Sequence, residues 1–256
     1  KSKRMRDEEM LIEEIRRIHE KSRKTYGSPR ITQELRDDGI HCNKKRIARI
    51  MKKKGIRAKT KRKYKATTNS KHNYPVAENL LKQDFTASRP NQIWAADISY
   101  VWTYEGWLYL AVILDIYSRK IVGWAMSERQ TKELVRQAFL QAVLRYRPAT
   151  GLIHHSDRGS QYASYEYQAL LKGYGVIQSM SNRGNCYDNA IVETFFHTIK
   201  TELIYWEIYK TRREAKKSIF EYIEVWYNRQ RRHSALGYKS PLAFDQLFQA
   251  QVSNAA

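Results

Sequence analysis

The stretch "WLYLAVILDIY", residues 107–117, is an almost unbroken apolar run. A strand with this composition is buried on both faces, so the chain has to supply helices above and below it. Its neighbours fit that demand. "NQIWAADISYVWT" (91–103) is rich in aromatic and β-branched residues and precedes it across the tight turn "YEG". "IVGWAMS" (121–127) follows after "SRK". These three segments read as strands in hairpin succession. "TKELVRQAFLQAVLRYR" then has helical period, with Leu134, Val135, Ala138, Phe139 and Ala142 on one face. A short strand "GLIHHS", a helix over about 164–173, a strand "VIQSMS", the polar loop "NRGNCYDNA" and a strong helix from near Asn189 complete the order. Three strands followed by alternating helix and strand predict an α/β fold, a mixed five-stranded sheet covered by helices. No internal repeat is visible.

Charge divides the chain unevenly. The net charge is +21, and residues 1–75 carry 25 Lys and Arg against 9 Asp and Glu, or +16 of that total. A basic first third points to nucleic acid, with an acidic membrane surface as the rival. No apolar run reaches the roughly 18 residues of a membrane span, and no signal peptide is visible. Cys42 and Cys186 fit a reduced, cytoplasmic setting better than a disulfide framework. The chain starts at Lys1, as if its numbering began inside a longer product.

The basic third reads as helix-turn-helix. An amphipathic helix is expected over Glu8–Ser22, with Met10, Ile12, Ile15 and Ile18 in its stripe. In "YGSPRITQELRDDGIHCNKKRIARIMKKKGI", Ser28 is the expected cap of a second helix, with Pro29 in its first turn and Gly39 at its end. Asn43 caps a third, which buries Ile47, Ile50 and Met51 and ends at Gly55. A turn of three to four residues between two such helices fits the motif. The last helix would then enter the major groove with Lys44, Lys45, Arg46, Arg49 and Lys53. The bland alternative is a helical hairpin with a solvated basic face. Arg62 and Lys63 lie in the following run "RAKTKRKYK", read as a basic linker that orders on phosphate.

Asp97 falls in the middle of the first strand, where a carboxylate is costly unless paired or bound to metal. Asp157 ends the fourth strand. Glu193 lies early on the last strong helix, at the margin of a stripe of Val192, Phe195, Phe196, Ile199 and Leu203. His197 and Lys200 continue its face. Two strand-borne aspartates and a helix-borne glutamate form a hard-oxygen set that suits Mg2+ better than zinc. In a two-ion scheme, with the ions roughly 3.5–4 Å apart, Asp97 is the natural bridge. His154 and His155 invite a zinc reading, but adjacent strand residues face opposite ways. One is expected to pack and the other to support Asp157. Asp115 reads as a turn or pairing residue, and Asp188 as the cap of the Glu193 helix. Arg183 and Asn185, in the polar loop, and Lys200 are candidate DNA contacts. So are Arg231 and Arg232, in the basic cluster ahead of "SALGYKSPLAF", whose bland reading is a tail packed on the core. "TRREAKKSIFEYIEVWYN" is an amphipathic helix for the sheet or a partner.

The spacing from Asp97 through Asp157 to Glu193, with 35 residues between the last two, matches the signature of retroviral-type integrases and related transposases. "WAADISYV", "VILDIYSRKIVGW", "HHSDRGSQY", "SMSNRGNCYDNAIVETFFHTIKTEL" and "YNRQRRHSALGYKSPLAF" resemble the bacterial insertion-sequence transposases of the IS-three family. "YGSPRITQEL" with "KRIARIMKKKGI" resembles the helix-turn-helix segment of that family's second reading frame. The resemblance runs from about residue 15 to 246. It implies an RNase H-like, retroviral-integrase-type core with Asp97, Asp157 and Glu193 as catalytic ligands of two Mg2+ ions, Mn2+ being a possible substitute. It further implies strand cleavage and strand transfer at element ends by a copy-out, paste-in route through a circular intermediate. The expected partners are double-stranded DNA (terminal repeats and target), further copies of the chain in one DNA complex, and an upstream-frame transposase part. The setting is the bacterial cytoplasm and nucleoid, with no membrane. Ala95 and Ala96 stand where related sequences often carry Val-Thr, which leaves the Asp97 carboxylate intact. The expected division is a helix-turn-helix domain over 1–58, a basic linker over 59–88, the catalytic core over 89–205 and a helical, basic extension over 206–256. A non-catalytic DNA-binding repressor on the same core, or a ribonuclease H-type nuclease, are the competing readings.

Overall fold

A computed structural model describes residues 3–59, 74–182 and 186–255. Three helices come first: α1 (Lys3–Lys21), α2 (Ser28–Asp37) and α3 (Lys44–Lys53). The α1 stripe is Leu11, Ile12, Ile15 and Ile18, all buried, whereas Met10 faces solvent at 59% exposure, contrary to the sequence expectation. Leu11, not Met10, lies on the arc that carries Ile15 and Ile18. Gly27 rather than Ser28 occupies the cap position of α2 and makes no side-chain cap. Asn43 caps α3 as expected, its Oδ1 accepting from the Lys45 amide at 2.8 Å. The turn between α2 and α3, residues 38–43, is longer than the three to four residues expected.

The sheet consists of β1 (Ile93–Thr103), β2 (Gly106–Asp115), β3 (Ile121–Ser127), β4 (Ile153–Ser156) and β5 (Ile177–Met180) in the order β3-β2-β1-β4-β5. The hairpins make β1, β2 and β3 antiparallel, while β4 and β5 run parallel to β1. Every residue of β2 from Leu110 to Asp115 is buried, as the apolar run demands. One face is covered by α4 (Lys132–Tyr146), α5 (Ser160–Ala163) and α6 (Tyr165–Gly173), through Phe139, Ala142, Tyr162 and Leu171. The other receives α7 (Ala190–Glu202) and α8 (Arg212–Glu221), which continues as a π-helical turn over Tyr222–Tyr227. The chain ends in α9 (Pro241–Ala255), held by the Lys120–Asp245 ion pair and by Tyr117 against Phe244 and Phe248.

The contact between β3 and α4 depends on a missing side chain. A Cβ at Gly123 would stand 2.3 Å from the Ala138 carbonyl oxygen and 2.7 Å from the Ala142 Cβ. Gly123→Ala must therefore push α4 off the sheet. A loss of about 2 kcal/mol is expected from overpacking, or roughly 4–8 °C in the melting temperature by calorimetry. An unchanged melting point would mean that α4 sits farther from β3.

The same core continues into the N-terminal helices. Ile31, Leu35, Ile47 and Tyr26 pack in one cluster with Ile219, Ile223 and Trp226. The Tyr26 hydroxyl accepts from the Arg232 amide at 2.7 Å, and its ring lies 5.7 Å from that of Trp226. Arg232 reaches Glu34 at 2.5 Å and Asp37 at 2.7 Å on α2. Arg231 is buried against Glu202 of α7 at 2.7 Å. The sequence assigns both arginines to DNA. The structure corrects this for Arg231, whose charge is enclosed and already paired. Arg232 is likewise paired with two carboxylates, so these two arginines link the turn to α7 and α2 instead of lying open to solvent. The amphipathic α8 docks on the sheet, the first of its two expected partners.

Candidate active site

The parallel register of β1 and β4 places two acids side by side. Ala95 pairs with His155 and Ala96 with Ser156. The next residues are Asp97, still within β1 and on the face shared with Ile93 and Ala95, and Asp157, in the turn just past the end of β4; the two strands lie roughly 4.8 Å apart. That face is the one α7 covers, and α7 carries Glu193 in its first turn. The three acids are close enough to perturb one another. The Asp97 carboxyl is pushed well above the usual carboxylate range, first by burial, then by the charge of Asp157 and more weakly by that of Glu193. The Ile98 amide, donating to Asp97 Oδ1 at 2.7 Å, and Lys200 oppose that rise. Glu193, on the more open side, is raised by burial and then by Asp157. Lys200 is lowered by burial, and Asp97 offsets part of this.

Asp157 is held by its own turn. The Gly159 amide donates to Asp157 Oδ1 at 2.9 Å. A Cβ on Gly159 would meet the same oxygen at 3.0 Å, so glycine leaves room for the carboxylate. Arg158 Nε donates to the Ser181 carbonyl at 2.6 Å and ties this turn to the end of β5.

The two histidines part as alternation requires. His154 is enclosed by Phe139, Tyr162 and Tyr167, within 3.0 Å of the Tyr167 hydroxyl. Burial pushes its pKa down to about 3, so it stays neutral. His155 spans Ser179 Oγ and the Asp188 carbonyl, both at 2.8 Å. It thus links the Asp157 strand to the segment that starts α7. Neither is arranged for zinc. Asp188 is not the helix cap that the sequence implied. Its Oδ2 accepts from Asn79 Nδ2 at 2.8 Å and from the Asn182 amide at 2.7 Å. The cap position belongs to Asn189, whose Nδ2 donates to the Ala96 carbonyl at 3.2 Å beside Asp97. Asn79, Ser179 and Asn189 carried no sequence signal, because their partners are far along the chain. Asp115 has the turn role expected of it, accepting from the Asn91 amide and from the Ser118 amide and hydroxyl.

The donor set fits a hard divalent cation. Among the described residues Lys200 is the cation that acts on Asp97, and Mg2+ is held by a few carboxylates while keeping its waters. Among the described residues no three His, Cys, Asp or Glu side chains close on a single point as a ready cage. Lys44, Lys45, Arg49 and Lys53 are exposed on α3 and Arg46 is half-buried, with Lys53 3.7 Å from Glu8. Arg62, Lys63, Arg183 and Asn185 lie outside the described residues. No helix among the described residues is long and apolar enough to cross a membrane.

Comparison with known proteins agrees with this layout. An HTH-like domain model matches residues 5–64, and integrase core domain models match 87–186 and 174–241. The insertion element IS600 uncharacterized 31 kDa protein of Shigella sonnei is 51% identical over 243 residues, spanning 95% of this chain and 89% of that one. Transposase InsF for insertion sequence IS3A of Escherichia coli strain K12 is 48% identical over 225 residues, spanning 88% and 78%. A chain in the cryoEM structure of the simian T-cell lymphotropic virus intasome in complex with PP2A regulatory subunit B56 gamma shares the fold. Its TM-score is 0.53 at 15% identity, over 90% of this chain and 73% of that chain. With relatives this similar over most of its length, the chain belongs to the IS3 (IS-three) family of insertion-sequence transposases, with an HTH-like domain and an integrase core.

Proposed function

We propose that this transposase cuts DNA strands at the ends of its insertion sequence and joins the freed 3′-hydroxyls to new phosphates, with Asp97, Asp157 and Glu193 as its catalytic acids. What supports this reading is that Asp97 on β1 and Asp157 just past β4 lie on adjacent segments, that Glu193 opens the helix covering that face, and that the charges of Asp157, Glu193 and Lys200 all act on Asp97. The acids would hold two Mg2+ ions, with Mn2+ able to replace them, and these would activate the attacking oxygen and neutralise the leaving one. The residues around them set geometry. The Gly159 amide fixes the rotamer of Asp157. His155 and Asn189 tie the start of α7, and so Glu193, to β4 and β1. Lys200 meets a phosphate oxygen next to the scissile bond. In each transfer an oxygen of water or of a DNA 3′-hydroxyl attacks phosphorus, and the bond to the departing 3′-oxygen breaks.

The exposed lysines and Arg49 of α3 lie on double-stranded DNA of the terminal repeats, and the basic linker follows the backbone. Joining two ends requires more than one copy of the chain in the complex. The route is copy-out, paste-in through a circle, in the bacterial cytoplasm at the nucleoid, with an upstream-frame part completing assembly. The test is an end-joining assay with labelled DNA bearing candidate element ends in Mg2+ or Mn2+, with the upstream-frame part supplied. Joined product from the wild type, and none from Glu193→Gln at undiminished DNA binding, is the expected result. DNA binding without any cleavage by the wild type would instead favour a non-catalytic repressor.

A further inference from the structure

The tip of the β1–β2 hairpin presents aromatic rings to solvent instead of packing them. Trp102 and Trp107, paired across the hairpin, are 54% and 43% exposed, and Tyr104 is 70% exposed. The rings are not loose. Trp107 makes edge contacts with Trp102 and with Tyr100, both at 4.9 Å between centroids. The tip is braced from behind, where the Tyr104 amide donates to the Tyr209 carbonyl at 3.1 Å. Arg212 Nε donates to the Trp107 carbonyl, also at 3.1 Å. Large exposed aromatics held this firmly are costly to a lone chain and mark a binding surface.

The ledge is continuous with the acid cluster. Lys200 Nζ lies 5.2 Å over the Tyr100 ring and acts electrostatically on Asp97. A second such pair is Lys59, which lies 5.5 Å over Trp206. Aromatic faces interleaved with cations are what unpaired nucleic acid binds, its bases stacking and its phosphates meeting the ammonium groups. A duplex has no free base faces to offer. We propose that Tyr100, Trp102 and Trp107 form a stacking platform for unpaired DNA bases, holding the single-stranded segment next to the strand end that occupies the acid cluster. This rests on the DNA-processing function proposed above.

The experiment uses the whole chain, a fluorescent oligothymidine of about 15 nucleotides and a duplex of equal length. Trp102→Ala/Trp107→Ala is expected to bind oligothymidine about 10- to 100-fold more weakly, at the scale of one to two lost stacking contacts, with duplex affinity unchanged. Trp102→Phe/Trp107→Phe should keep most of the single-strand affinity. In the wild type, oligothymidine should shield tryptophan emission from acrylamide, a readout that needs no variant. Equal oligothymidine affinity in wild type and alanine variant, with no shielding, overturns the platform while leaving duplex binding intact. If sedimentation then shows the alanine variant losing subunits, the ledge is a contact between copies. A wild type that binds neither DNA would sink the functional reading itself.

Discussion

Asp97→Asn is expected to join no detectable DNA ends, a loss of at least about a thousandfold on the scale of removing a central electrostatic group, while its metal-free form melts higher than the wild type. Both effects have one cause. Asp97 is half-buried beside Asp157 and Glu193, and desolvation with their charge holds its proton well above the usual range. A carboxyl whose folded pKa exceeds its unfolded value of about 3.9 favours the folded state less and less as pH rises between the two values. Above the folded pKa the full cost of the buried charge is present. Asparagine removes that cost at neutral pH. An increase of about 2–5 °C is expected at pH 7, in the range of other relieved active-site strain, shrinking toward zero near pH 4. Calorimetry at both pH values checks it. A variant that melts lower at pH 7 would show that Asp97 is satisfied without a cation.

Arg231→Ala is expected to be the most destabilising single change in the molecule's polar interior. Arg231 gives Nε to both Glu202 oxygens at 3.0 Å and a second nitrogen to one of them at 2.7 Å. The Tyr222 hydroxyl donates to the same carboxylate at 2.7 Å. Removing the guanidinium leaves the buried Glu202 charge with only the Tyr222 hydroxyl and the field of Arg30 in its place, which costs about 3–5 kcal/mol, or roughly 10 °C for a chain of this size. Glu202 lies on α7, the helix of Glu193, so the loss also loosens the candidate site. The double variant Glu202→Met/Arg231→Met should recover most of the melting temperature, because a well-packed apolar pair avoids the desolvation of both charges. If the double variant melts no higher than the single, the pair stabilises the fold by more than mutual neutralisation.

The elements that carry the acids were legible because each is a local pattern. The apolar run fixes β2 as an inner strand, alternation fixes the face of Asp97, and the stripe Val192, Phe195, Phe196 and Ile199 leaves Glu193 at its margin. The separation of His154 from His155 followed from the same alternation. What the sequence could not show is pairing across distance. Asp188 stands directly before a helix and next to Asn189, so it reads as a cap. One of its partners, Asn79, is 109 positions away. Arg231 and Arg232 sit in a run of cations that composition assigns to surface. Their partners Glu202, Glu34 and Asp37 become visible only once α2 and α7 meet the π-helical turn. In the sequence the aromatic hairpin tip shows only as strand, because exposure is a tertiary property and its composition fits a buried strand equally well.

Divalent-ion binding by the DNA-free chain bears most directly on the acid cluster. Titration calorimetry with Mg2+ and Mn2+, in two buffers of different ionisation enthalpy, reports both the ion and the proton it displaces. Because Asp97 holds its proton more tightly than an ordinary carboxyl, ion uptake by the wild type should release protons and tighten as pH rises. Asp97→Asn should lose the binding and the proton release together. Binding of equal strength and equal proton release in that variant would place the ion elsewhere, and the three carboxylates would no longer be a common site.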